Sequence, residues 1–251
     1  MSIRVNALCT LSVLAAACAT LAPAHAVTVT LSATRDATIF NDATGNNANG
    51  ASTHFYVGRT NQGKLRRALL GFDTSIIPAG ATITSATLTL YMEQGYLSQN
   101  ALTVHRVTKQ WTEGLSTANG GQPGARLEND VTWVHSSYRA IGAQSWTTPG
   151  GDFISTPSAT TIVPEPNFYS WTSPTMAADV QGWINNPSNN FGWLIKANES
   201  LNRSARSFSS RETPAAAIAP RLVIEYVIPA PGTAAIVGVI GVWSSRRRRA
   251  N

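Results

Sequence analysis

Six tryptophans fall between Val27 and Val227: Trp111, Trp133, Trp146, Trp171, Trp183 and Trp193. Sugar rings present apolar C–H faces that suit exposed aromatic rings, although aromatics also dominate sandwich cores. Trp183 sits on an apolar helical spacing, and Trp193 alternates with Phe191 and Ile195, so both are expected in a core. Trp133 and Trp146 lie in a stretch rich in Gly, Ser, Thr and Asn, with Tyr138 and Arg139 nearby. These four are expected at the surface as glycan contacts. A second group, Arg59, Lys64, Arg66 and Arg67, suits an acidic polysaccharide, because a guanidinium fork matches a carboxylate bidentately. Within it, Arg67 belongs to a patterned strand and is expected to pair internally with an acid such as Asp73 or Glu212, as is Arg211. Arg59, Lys64 and Arg66 remain ligand candidates. Asp36, Asn41 and Asp42, with Asn46, Asn47 and Asn49 behind them, offer oxygens for calcium, which takes about six to eight such ligands. Their spacing fits no EF-hand loop, and Asn-rich turns need no metal.

Catalytic patterns are sparse. Neither a G-x-S-x-G elbow nor an H-E-x-x-H pair occurs. His54, His105 and His135 are scattered, the first two within strands, and read as structural or surface residues. Glu113 and Asp130 could form a glycosidase pair on paper, as could others among 13 acidic residues. An enzyme is therefore not expected, and no motif requires a cofactor; calcium is the one metal considered.

The ends of the chain carry targeting chemistry. Arg4, an apolar run from Ala7 to Leu21 and the close Ala24-His25-Ala26 are the three parts of a secretory signal peptide, cleaved after Ala26. Leu14-Ala15-Ala16-Ala17-Cys18 also approximates a lipid-attachment box but lacks the large aliphatic residue three positions before Cys18. Both cysteines, Cys9 and Cys18, lie in this segment. The mature chain then has no disulfide, thiolate metal site or cysteine nucleophile. At the other end, Pro229-Ala230-Pro231 leads into an apolar stretch from Ala234 to Trp243 and then Arg246-Arg247-Arg248-Arg249. An arginine cluster after an apolar stretch stays on the cytoplasmic side. This tail resembles a PEP-CTERM sorting signal, which implies processing by an exosortase-type enzyme and release to the cell surface or matrix. Ala230 stands where that family has glutamate, so permanent membrane anchoring is the alternative.

The formal charge of +6 is mostly a property of these ends. Arg4 and the four terminal arginines supply five charges, whereas Val27–Val227 holds 14 Lys plus Arg against 13 Asp plus Glu. A near-neutral exported domain has no electrostatic footprint for nucleic acid, and that partner is excluded.

The elements that must position the candidates are strands. Between Ile83 and Glu93, Ala86, Leu88, Leu90 and Met92 alternate with Ser85, Thr87, Thr89 and Tyr91, which predicts a strand with one buried face. Similar segments recur at 28–33, 54–57, 67–72, 102–108, 160–163, 168–171, 192–197, 206–210 and 221–227, separated by turn formers. Ser173 as cap, Pro174 at the first position and Met176, Val180, Trp183 and Ile184 at helical spacing predict one short helix, stopped by Pro187. The stretch 112–151 reads as a long loop region with short strands. The expected organisation is a signal peptide over 1–26, a strand-rich sandwich or barrel over 27–227 and a sorting tail over 228–251.

Several strings, in order, resemble the DNRLRE domain, also treated as carbohydrate-binding module family 96. They include Asp36-Ala37-Thr38-Ile39, Tyr56-Val57-Gly58-Arg59, Arg67-Ala68-Leu69-Leu70-Gly71-Phe72-Asp73, Trp111-Thr112-Glu113, Ser209-Ser210-Arg211-Glu212 and Pro220-Arg221-Leu222-Val223. The resemblance implies an all-β, jelly-roll-like antiparallel β-sandwich with polysaccharide as partner. Together with the tail, it leads to the expectation of a non-catalytic surface or matrix protein that binds exopolysaccharide. A structural or adhesion protein contacting other proteins is the second reading, and a polysaccharide lyase or hydrolase the third.

Overall fold

The computed structural model describes residues 25–229. Among them, strands dominate and pair antiparallel throughout, with one α-helix. In chain order the strands are β1 (His25–Phe40), β2 (Asn47–Asn49), β3 (His54–Arg59), β4 (Leu65–Phe72), β5 (Thr82–Gly95), β6 (Ala101–Arg106) and β7 (Gly124–Ala125). They continue with β8 (His135–Ser137), β9 (Gln144–Ser145), β10 (Ala159–Ile162), β11 (Asn167–Thr172), β12 (Trp193–Ala197), β13 (Arg206–Ser209) and β14 (Arg221–Ile228). The helix α1 (Pro174–Asn185) lies between β11 and β12. Among the described residues no helix is long and apolar enough to cross a membrane. Ala24, Ala230, Pro231 and Arg246–Arg249 lie outside the described residues.

Two sheets face each other. In the first, the long β5 carries β14 and then β13 along one edge and β11 along the other, with β1 beyond β14 and β3 beyond β13. In the second, β4 lies between β1 and β12, followed outward by β6 and β10. β1 serves both: residues 25–32 pair with β14, and residues 33–40 pair with β4 after a bulge between Ala33 and Arg35. Bulges bend a strand and let it turn a sandwich corner. The sequence pattern shows only the first half of β1, because Thr34, Arg35 and Asp36 interrupt the alternation where the strand changes sheets.

The main core, between the sheets, includes Phe55, Leu70, Leu88, Leu90, Ile195, Phe208 and Ile224, and α1 closes it with Met176, Val180 and Trp183. Ser173 caps that helix by accepting a hydrogen bond from the Met176 amide. A second core lies on the outer face of the second sheet, where Ile39, Leu69 and Leu194 pack against Trp111, Val131, Trp133 and Trp146. The second half of β4 and most of β12 are therefore buried on both faces, which is why Ala68–Phe72 and Trp193–Ile195 read as apolar runs. Phe191 packs against this second core and not beside Trp193 and Ile195 in the first. The cause is Gly192, whose φ of +76° breaks the extended alternation just before β12.

Candidate carbohydrate-binding groove

Three turns meet at the mouth of the sandwich. After β1, the Asp42 carboxylate accepts hydrogen bonds from the Thr44 amide and hydroxyl and from the Asn46 amide, an Asx-type turn that sets the first wall. Burial pushes the Asp42 carboxyl upward, but these donors outweigh it and hold the group below the usual range. The second wall is the β3–β4 hairpin, closed by the Thr60 amide donating to the Lys64 carbonyl at 3.0 Å. The third is the 119–122 turn, in which Asn119 and Gln122 exchange backbone hydrogen bonds of 3.0 and 2.9 Å. Its central Gly120 and Gly121 have φ of +54° and +81°, a combination that favours glycine at both positions. A methyl on Gly121 would lie 3.3 Å from both Arg66 Nη1 and the Tyr56 ring, so glycine lets this turn rest on them.

Between the walls is a groove of about 560 Å³, with Phe40, Leu65 and Arg66 beneath and Asn41, Asp42, Asn47, Gln62, Lys64 and Gln122 around it. Arg66 also lines a second hollow of about 390 Å³, shared with Tyr56, Gln94, Tyr96 and Ser207. Its guanidinium lies 5.6 Å from the ring centres of both Phe40 and Tyr56. Among the described residues no carboxylate pairs with Arg66, and its buried Nε has no hydrogen-bond partner. Burial lowers the Arg66 pKa, with Tyr56 and Tyr96 opposing, and burial raises that of Tyr56 against the Gly121 amide and Arg66. Buried polar groups normally have partners, so an unmatched guanidinium opening onto two hollows has donors to offer an acceptor from outside.

Of the residues expected to bind glycan, Lys64 and Arg66 come together here, joined by Asn41 and Asp42. The others do not line the groove. Trp133 and Trp146 are 8 % and 5 % exposed, which corrects their expected surface position. Both belong to the second core, and the Trp146 indole donates to the Thr132 carbonyl at 2.9 Å. Their loops are irregular but lie over a sheet, so the rings face inward. Tyr138 is half-buried beneath Arg126, whose guanidinium is 4.0 Å from the ring centre, and Arg139 is exposed on the same outer layer. Arg59 donates to the Gly63 and Glu199 carbonyls and braces the β3–β4 hairpin.

Arg67 does pair internally, but with Glu199, through Nε and Nη2 at 2.6 and 2.9 Å, and not with Asp73 or Glu212. Asp36 is likewise separated from Asn41 and Asp42, because an extended chain advances ~3.3 Å per residue. It is buried and gathers instead with Glu113 and Glu212. Arg211 binds this trio: its amide donates to Asp36, and its Nε and Nη2 donate to Glu113, all at 2.7 Å. Glu212 Oε1 also lies 2.8 Å from Arg211 Nε, an ion-pair contact without hydrogen-bond alignment, since both Glu212 oxygens lack such a partner.

Asp130 is wholly buried and accepts from the amides of Leu115, Ser116 and Leu127, so it organises a loop. Neither it nor Glu113 lines either hollow. His105 is engaged through both ring nitrogens, His135 bonds Thr132, and His54 bonds Glu93. Sequence reasoning missed Phe40, Tyr56, Gln62, Gln94, Tyr96 and Gln122. Tyr56 was the most accessible of these, because it alternates with the core residues Phe55 and Val57 and must point outward.

An antiparallel sandwich with an open, polar, partly basic groove has the architecture of a module that holds an extended ligand. Residues 27–130 match the model of carbohydrate-binding module family 96. This segment is thus similar to that family's module, and carbohydrate binding is the activity the match suggests. No curated protein matches the chain. All the residues lining the larger groove lie within the matched segment.

Proposed function

We propose that the protein is exported, binds an acidic exopolysaccharide through the groove at Lys64 and Arg66, and does no chemistry on it. The observation that carries this reading is Arg66, a half-buried guanidinium without an acidic partner among the described residues, set between two hollows that also offer carboxamides, hydroxyls and Lys64, and whose one carboxylate, Asp42, is bonded within its own turn. Carboxylate oxygens of a sugar acid would satisfy its fork, Lys64 would add a second positive charge, and the carboxamides would exchange hydrogen bonds with hydroxyls. In this reading residues 1–26 direct export and are removed after Ala26. Residues 228–251 hold the chain at the membrane, or are cut by an exosortase-type enzyme that releases it to the matrix. The test is retardation of the purified full chain in gels containing acidic or neutral polysaccharide, alongside R66A and K64A. Retention by acidic polymers that both substitutions weaken supports the reading. No retention by any polymer refutes it, and release of unsaturated or reducing ends from a retained polymer would instead identify an enzyme.

A further inference from the structure

The outer face of the first sheet, where β5 of the matched segment meets β11 and β14 from beyond it, carries a feature that the groove does not use. Phe168 on β11 is directly opposite Tyr91 on β5, and the two rings pack at 4.8 Å between centres. Phe168 nevertheless remains 43 % exposed. The Arg221 guanidinium of β14 lies 5.4 Å from its ring centre, and two residues along each strand the Thr89 and Ser170 hydroxyls are 3.0 Å apart. Core formation explains none of this, because the buried face of these strands is supplied by Leu88, Leu90, Met92 and Trp171. An open aromatic ledge bordered by two hydroxyls and a guanidinium matches a sugar ring, which is apolar on its faces and hydroxylated at its rim.

The ledge and the hollow beside Arg66 share strand β5. β5 runs from Tyr91 to Gln94, and Tyr96 follows the end of the strand; Gln94 and Tyr96 line the hollow beside Arg66. Five extended residues span ~16 Å, which leaves room for further sugars between the two places. Glu93, on that path, is held by His54 at 2.8 Å and by the Ser209 hydroxyl at 2.5 Å, so its carboxylate is already matched. We infer that Tyr91, Phe168 and Arg221 form a second carbohydrate contact that engages another stretch of the polysaccharide held at Arg66. This inference rests on the groove reading, and it adds that affinity depends on chain length.

Isothermal titration of the full chain with uronic-acid oligosaccharides, graded from disaccharide to octasaccharide, tests it. Wild-type affinity should rise steeply once the oligomer reaches both contacts. F168A should lose that increment, about five- to tenfold from the apolar area of one half-exposed phenylalanine, and leave short oligomers unaffected. F168W should preserve the increment and shows that the alanine variant's loss follows from the aromatic face and not from misfolding. R66A should weaken all lengths. Long oligomers that bind F168A as tightly as wild type, or an affinity independent of length, overturn the second contact while an R66A defect leaves the groove standing. If R66A has no effect and F168A weakens binding, the groove reading fails and the ledge is the sole site, which overturns the two-contact inference.

Discussion

Replacing Arg211 with alanine should destabilise the domain in a pH-dependent way. Arg211 fixes Glu113 through two hydrogen bonds of 2.7 Å and is 39 % exposed, whereas Glu113 and Glu212 are 15 % and 19 % exposed. Removing one partner of a buried pair costs ~3–5 kcal/mol, and exposed pairs contribute ~0–1 kcal/mol. The solvent reaching Arg211 puts the loss between these limits, about 2–3 kcal/mol at neutral pH. For a domain of this size that is roughly 4–12 °C in Tm. Burial, followed by Glu212 and Glu113, pushes the Asp36 carboxyl well above the usual range, and burial with Glu113 raises Glu212. A carboxyl with a higher pKa in the folded state binds more protons there. Its contribution is fully present below the unfolded value of about 4 and is lost as pH rises through the folded value. The Arg211 charge opposes both upward shifts, so its removal enlarges them, chiefly at Glu212, because alanine keeps the backbone amide that bonds Asp36. The R211A deficit should therefore be small near pH 4 and grow toward pH 7, as read by urea unfolding of wild type and variant across that range. R211K, which keeps the charge but not the fork, should show a smaller deficit with a weaker pH dependence. A deficit that is flat with pH, or larger at pH 4 than at pH 7, refutes the reasoning.

Three further outcomes follow from the same geometry. Gly114 has a φ of +80°, and a methyl there would stand 1.8 Å from Asp130 Oδ1; G114A should lose at least about 2 kcal/mol in urea unfolding. W133A should lose ~3–5 kcal/mol as a core truncation, yet the fraction that stays folded should be retained on polysaccharide gels like wild type. Retention through Lys64 and Arg66 should weaken as salt is raised from low to physiological ionic strength, and gel mobility that is insensitive to salt would rule out an electrostatic contact.

Strands with one wet face were legible because alternation is a local property. β5 shows it: Leu88, Leu90 and Met92 are buried, and Thr87, Thr89 and Tyr91 face out. The helix was legible for the same reason, through its cap and its spacing. The second core was not. Its cover comes from Trp111, Val131, Trp133 and Trp146 in segments without a regular period, so nothing local shows which way each ring points. A tryptophan in a polar loop is exposed only where no sheet lies beneath, and that depends on pairings far apart in the chain.

The adjacent arginines of β4 show why the site was only half legible. Successive strand residues point to opposite faces, and this parity separates two side chains of identical chemistry. Arg67 turns to the second core, where Glu199 pairs with it and Trp133 and Phe153 lie 4.7 and 5.4 Å from its guanidinium. Arg66 turns to the mouth, between Phe40 and Tyr56. Parity alone still does not make Arg66 a ligand group; that requires that no acid reach it. The groove's own acid, Asp42, uses both carboxylate oxygens to hold Thr44 and Asn46 in the turn. The groove keeps a positive centre because its single carboxylate is engaged in folding the wall, a fact set by a turn's hydrogen bonds and invisible to any count of charges along the chain.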